Sequence, residues 1–127
     1  MLRVGADVVE VSEVAGSVSR FGDRYLSRLF TQAETGLWPS EPAALARGLA
    51  QCFAAKEATM KLLKSAAVGL DWRSIEVKRD LQGRLGCCLT GKAAELAQRA
   101  GITRISLSLS CAGPLAMAIV VAELAAG

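Results

Sequence analysis

The sequence predicts an α+β domain, a long helix packed on a small antiparallel sheet. Three observations carry this expectation. Residues 42–64 hold Leu45, Leu49, Phe53, Met60 and Leu63 at three- and four-residue intervals, broken only where Ala and Glu57 intervene, the period of an amphipathic helix. Ile105, Leu107 and Leu109 alternate with Ser106, Ser108 and Ser110, the period of a half-buried strand. The N-terminal run places four valines within Leu2 to Val11, and β-branched side chains favour strands.

Taken in order, Leu2 to Val11 reads as a first strand interrupted by Asp7 and Glu10. A helical region follows from about Glu13 to Phe30, broken near Gly22; a helix continuous there would align Arg20, Arg24 and Arg28 on one face, in the ordinary case a solvated one. Thr31 to Glu34 fits a capping box ahead of a short helical turn. Ser40 is the expected N-cap of the main helix, with Pro42 in its first turn and Lys61 and Lys64 at the negative end of its dipole. Ser65 to Leu70 reads as a loop of small residues. Trp72 to Lys78 and Gly86 to Leu89 read as a strand pair joined through Asp80 to Gly83. Thr90 caps a helix from about Lys92 to Arg99, which Gly101 ends. Two last strands, Ile102 to Ser110 and Leu115 to Ala122, join through a hairpin at Cys111 to Pro114.

The 127 residues amount to one domain spanning 1–127, with a single core. A chain this short encloses a deep substrate chamber with difficulty, so a site shared between subunits is worth expecting. The net charge of +3 is too mild for a nucleic-acid surface and weakly favours an anionic ligand or an acidic partner. With no His, the chain has no imidazole base, no Ser-His-Asp triad and no His-ligated metal. The four cysteines lack CxxC spacing, which argues against structural zinc, and free thiols point to a reducing, cytoplasmic setting. The first residues do not read as a signal peptide, and the longest apolar run, Leu115 to Ala122, is too short to cross a bilayer as a helix.

Two carboxylates stand out. Asp7 interrupts an apolar strand, where an unpaired charge is costly. Glu57 sits in an Ala-rich part of the main helix between Lys56 and Lys61. Carboxylates from separate elements suit Mg²⁺, a hard cation that completes its shell with phosphate oxygens and water. Spacing alone leaves open a plain Glu57–Lys61 pair one turn apart on a wet helix face, and an Asp7 that merely ends its strand. Lys61 shares a helix face with Glu57; Lys56 points elsewhere.

Five words in order, GADVVEV, RFGDRYLSRLFTQAE, FAAKEATMKLLK, DWRSIEV and SLSLS, resemble the short holo-acyl-carrier-protein synthases, a group of 4'-phosphopantetheinyl transferases. The resemblance runs from Val4 to about Glu123, and it implies that family's fold. It further implies transfer of 4'-phosphopantetheine from coenzyme A to a serine of an apo acyl carrier protein. By position, Asp7 and Glu57 match Mg²⁺ ligands and Lys61 matches the lysine that meets the phosphates, which makes Glu57 and Lys61 the catalytic candidates. Lys56, Lys61, Lys64 and Ser108 fall where coenzyme A contacts are expected. Arg20 and Arg24 match a basic region that meets the acidic helix of the carrier. The family's sites lie between the subunits of a homotrimer.

Some positions depart from the family words. Leu109 stands for a His, Cys52 for an Arg and Glu13 for an Arg; Lys64 to Ala67 replace a Gly-Thr-Gly loop, and Ala6 replaces a larger aliphatic. The alternative these raise is a member with impaired catalysis, acting as a binding or structural subunit of a fatty-acid or polyketide synthase.

Overall fold

The computed structural model describes residues 1–64 and 68–126. Strand β1 (Leu2–Glu10) leads directly into helix α1 (Val11–Phe21), then α2 (Asp23–Leu29), α3 (Gln32–Thr35) and the long α4 (Pro42–Leu63). A 3₁₀ turn (Trp72–Ser74) precedes β2 (Ile75–Arg79) and β3 (Leu85–Leu89); α5 (Gly91–Arg99), β4 (Ile102–Ala112) and β5 (Leu115–Leu124) complete the chain. The α+β class stands. Its strands form two antiparallel sheets, one in the order β1-β5-β4 and a separate β2–β3 hairpin, where a single small sheet was expected.

Helix α4 lies between them. On one side it meets the three-stranded sheet, where Ala58 and Leu62 pack with Val120 and Ala122. On the other, Leu63 packs with Leu70, Ile75, Ala93 and Ala97 from the hairpin side and α5. Small residues make the first contact close. Ala54, Ala55 and Ala58 of α4 and Ala116, Ala118 and Ala122 of β5 are all buried. A Cβ on Gly5 would stand 2.3 Å from the Ala58 carbonyl oxygen, so only glycine lets β1 approach the helix here. Gly48 serves the same end against the Trp38 ring, 2.2 Å from where its Cβ would be.

Several boundaries differ from the sequence reading for local reasons. Gly22, at φ 55° and ψ −131°, turns the chain between α1 and α2, so Arg20 does not continue the row formed by Arg24 and Arg28. Glu41, rather than Ser40, caps α4: its carboxylate accepts from the Ala43 and Ala44 amides at 3.1 and 2.9 Å. Trp72 to Ser74 form a 3₁₀ turn capped by Asp71 instead of opening β2. The capping box forms as expected, with the Thr31 hydroxyl accepting from the Glu34 amide and Glu34 accepting from the Thr31 amide. Thr90 stands at the N-cap of α5 without a side-chain capping bond. The hairpin turn tightens to Gly113 and Pro114, Gly113 taking φ 58°. Of the expected loop at Ser65 to Leu70, its first three residues lie outside the described residues. Among those described, no helix is long and apolar enough to cross a membrane.

Candidate functional site

Asp7 projects from the inward face of β1, the face that also carries Gly5 and the buried Val9. Because Gly5 brings β1 against Ala58, Asp7 arrives beside the next turn of α4. There the Lys61 ammonium donates to Asp7 Oδ1 and to the Ala6 carbonyl, both at 2.8 Å. The Lys61 side chain is still 56% exposed, whereas Asp7 is 15% exposed, so the lysine head faces solvent while the carboxylate forms the floor.

Glu57 lies one turn before Lys61 on the same flank. Its pKa is pushed up from 4.5 to about 7, first by burial, then by a hydrogen bond with Asp7 and by the Asp7 charge. Lys61 lowers it in part, and the Glu13 charge on α1 raises it. Two neighbouring carboxyl groups sharing one half-exposed lysine leave excess negative charge in one place. Among the described residues no set of three or more acidic, Cys or His side chains gathers around one point. The donor set here is two carboxylates, all oxygen, which suits a hard cation that takes its other ligands from substrate and water.

The other expected contacts are distributed differently. Lys56 was expected to reach coenzyme A, and the structure corrects this. Its ammonium is fully buried, pairs with Glu34 at 2.8 Å, and donates to the Trp72 carbonyl at 3.0 Å and to the Ile75 carbonyl. All three donors are occupied, so none is left for a ligand. Lys64 is exposed at the C-cap of α4, at φ 59° and ψ −149°, a region that strains any residue but glycine. It lies two helical turns beyond Glu57, on the same side of the helix. Ser108 is exposed on β4, and the strand alternation turns it to the sheet face opposite Asp7. The site of one chain does not include it. Leu109 shares the Asp7 row: Leu109 pairs with Ala118, and Ala118 with Asp7. It packs against the core of this face.

Sequence reasoning missed Glu34. Its carboxylate bonds the Lys56 ammonium, the Thr31 amide and the Val77 amide of β2, and it is fully buried. The capping-box signal placed the residue correctly; nothing in the spacing announced a partner 22 positions away. All four cysteines are free thiols. Burial pushes the Cys52 thiol up to about 12 and the Cys87 thiol to about 11.

Outside the carboxylate pair, Arg24, Arg28, Phe21, Tyr25 and Trp72 line an open groove of about 730 Å³ along α2. Arg20 lies over the Phe21 ring, 5.9 Å from its centroid, at the end of α1. The outward face of the three-stranded sheet exposes Leu2, Val4, Val8, Leu115, Met117 and Ile119, an apolar patch where a monomer would ordinarily be polar.

Residues 3–120 match the family model of the 4'-phosphopantetheinyl transferase superfamily. The chain is 42% identical to a holo-[acyl-carrier-protein] synthase of Koribacter versatilis, over 97% of this chain and 98% of that one. It is 40% identical to the enzyme of the same name from Paramagnetospirillum magneticum, over 97% and 96%. Among solved structures, the ACPS–CoA complex of Chronobacterium ammoniagenes superposes with a TM-score of 0.83 at 28% identity, covering 99% of both chains. The Helicobacter pylori holo-[acyl-carrier-protein] synthase in complex with coenzyme A does so with a TM-score of 0.80 at 25% identity, covering 95% of this chain and all of that one.

Proposed function

The chain belongs to the 4'-phosphopantetheinyl transferase superfamily, and we propose how its residues carry the transfer of 4'-phosphopantetheine from coenzyme A to a serine hydroxyl of an apo acyl carrier protein. One observation carries the assignment of roles: Asp7, Glu57 and Lys61, from two elements 50 residues apart, converge on one partly solvated spot.

Asp7 and Glu57 are the residues that would hold Mg²⁺, since two converging carboxylates with surplus charge are the donor set such an ion takes. When bound, the ion supplies charge neutralisation at the pyrophosphate oxygens. Lys61 leads its ammonium from Asp7 towards solvent, where it meets phosphoryl oxygens as charge gathers on the departing 3',5'-ADP. The serine proton passes to the carboxylate pair, directly or through water. Lys64, on the same side of α4, extends positive charge along the path of the nucleotide.

The groove at Arg24 and Arg28 offers an acidic helix two guanidiniums and an aromatic floor, with Arg20 at its end. This is the docking surface assigned to the carrier. The apolar outward sheet face supports a homotrimer, in which Ser108, on that same face, would join the site of a neighbouring subunit. The reaction is assigned to the cytoplasm, as the free thiols led us to expect. Assembly of all three functional side chains weighs against the alternative of a non-catalytic synthase subunit.

The test is intact-mass analysis of apo carrier proteins incubated with the protein, coenzyme A and Mg²⁺. A phosphopantetheine mass gain that disappears with Glu57→Ala is the expected result. Equal gain with Glu57→Ala would remove Glu57 from the chemistry, and no gain on any carrier would reject the transferase reading.

A further inference from the structure

We infer that the buried Glu34–Lys56 pair is a positioning device that fixes the rotation of α4 and thereby aims Glu57 and Lys61 at Asp7. The inference rests on the transferase reading for its activity readout only.

The geometry is that of a helix clamped from two sides. Successive residues of a helix are separated by about 100° around its axis. Lys56 and Ala58 therefore face nearly opposite directions, with Glu57 about 100° from each. On the Ala58 side, the helix backbone is pressed against Gly5 so closely that no Cβ fits. On the Lys56 side, the ammonium is locked to Glu34 and to the carbonyls of Trp72 and Ile75. Glu34 in turn bonds the backbone of α3's cap at Thr31 and of β2 at Val77. The network thus joins α3, α4, the 3₁₀ turn and β2, and every polar atom of the pair has a partner.

Ala58 against Gly5 sets how near α4 stands to β1 but resists rotation weakly, because small apolar surfaces slide. Directional hydrogen bonds do resist it. A helix with its side chains has a radius of about 5–6 Å, so a rotation of roughly 10° carries a side-chain head about 1 Å. A misplacement of that size costs about 10²-fold in rate where reacting groups must align. A pair kept only for stability would be poorly chosen, since well-packed apolar residues often replace a buried ion pair without loss. Buried polar networks of this kind specify a unique arrangement.

The probing variant is Glu34→Asp, which retains the charge pair but is one methylene too short to reach Thr31, Val77 and Lys56 together. Lys56→Met is made beside it, so that one folded variant is in hand if the other fails to fold. Each is measured per folded molecule, well below its unfolding midpoint. Two quantities are read: kcat and coenzyme A KM in the carrier assay, and Mn²⁺ affinity by electron paramagnetic resonance, the Mn²⁺ standing in for Mg²⁺. We expect kcat to fall tenfold or more, KM to stay within threefold, and Mn²⁺ affinity to fall at least threefold. Lys56→Arg placed on Glu34→Asp restores part of kcat by lengthening the opposite arm. Parent kcat and parent Mn²⁺ affinity in a folded variant would show a pair that stabilises without positioning, and would overturn the inference. If the unsubstituted protein modifies no carrier while Mn²⁺ affinity still falls in the variants, the transferase reading fails and the positioning role stands.

Discussion

Glu57→Gln is expected to make the metal-free protein more stable above neutral pH. Burial, and then Asp7, raise the Glu57 pKa from 4.5 to about 7. The folded state therefore holds a proton that the unfolded chain releases between those values. Where the native state binds more protons, stability falls as pH rises. The stabilising contribution is complete below about 4.5 and is lost as pH climbs through about 7. A rise from 4.5 to about 7 corresponds to about 3 kcal/mol at full strength; Glu57 is only half-buried, and solvent screening reduces this to about 1 kcal/mol. Gln resembles the protonated carboxyl and never ionises, so it escapes the loss. Urea unfolding with a chelator present, at pH 8 and at pH 4.5, measures this directly. The variant should exceed the parent by about 1 kcal/mol at pH 8 and match it at pH 4.5. Adding Mg²⁺ at pH 8 should raise the parent more than the variant. A variant equal to or less stable than the parent at pH 8 without metal would refute the claim that burial and Asp7 together disfavour an ionised Glu57.

Three further outcomes follow from the same geometry. Gly5→Ala sets a methyl 2.3 Å from the Ala58 carbonyl, a backbone atom that cannot turn aside; thermal or urea unfolding should show a loss of about 1–3 kcal/mol, with transferase activity falling as β1 moves off α4. Lys64→Gly removes a side chain from strained backbone at φ 59° and should stabilise by about 1 kcal/mol, while coenzyme A KM rises severalfold because a cation is lost. Arg24→Glu should raise the KM for the carrier by tenfold or more and leave that for coenzyme A unchanged; equal effects on both would mean the groove does not receive the carrier.

Much of this protein was readable one element at a time. Alternation gave β4, an apolar run after a hairpin turn gave β5, the 3.6-residue period gave α4, and the Thr31–Glu34 capping box was found where the chain places it. Local rules act over a few residues, so they reach as far as an element and a cap. They failed by one position because a Ser40 cap would face Pro42, which has no amide hydrogen, whereas Glu41 reaches the amides of both Ala43 and Ala44. They also failed at Trp72, whose apolar bulk resembles a strand start but whose preceding Asp71 caps a turn.

The sequence by itself determined which residue types were available. It has no histidine, two carboxylates in unlikely surroundings, and lysines flanking one of them. The ordered family words then named Asp7, Glu57 and Lys61. The helix period already set Lys61 beside Glu57 and Lys56 elsewhere; only the tertiary structure decided what each lysine does there. One is bound on all three donors within the core, and the other remains half-exposed beside Asp7. The physical reason is direction. Five residues apart on a helix, the two lysines point about 140° from each other, and which side faces the core is set by Gly5, Glu34 and β2, all distant in the chain.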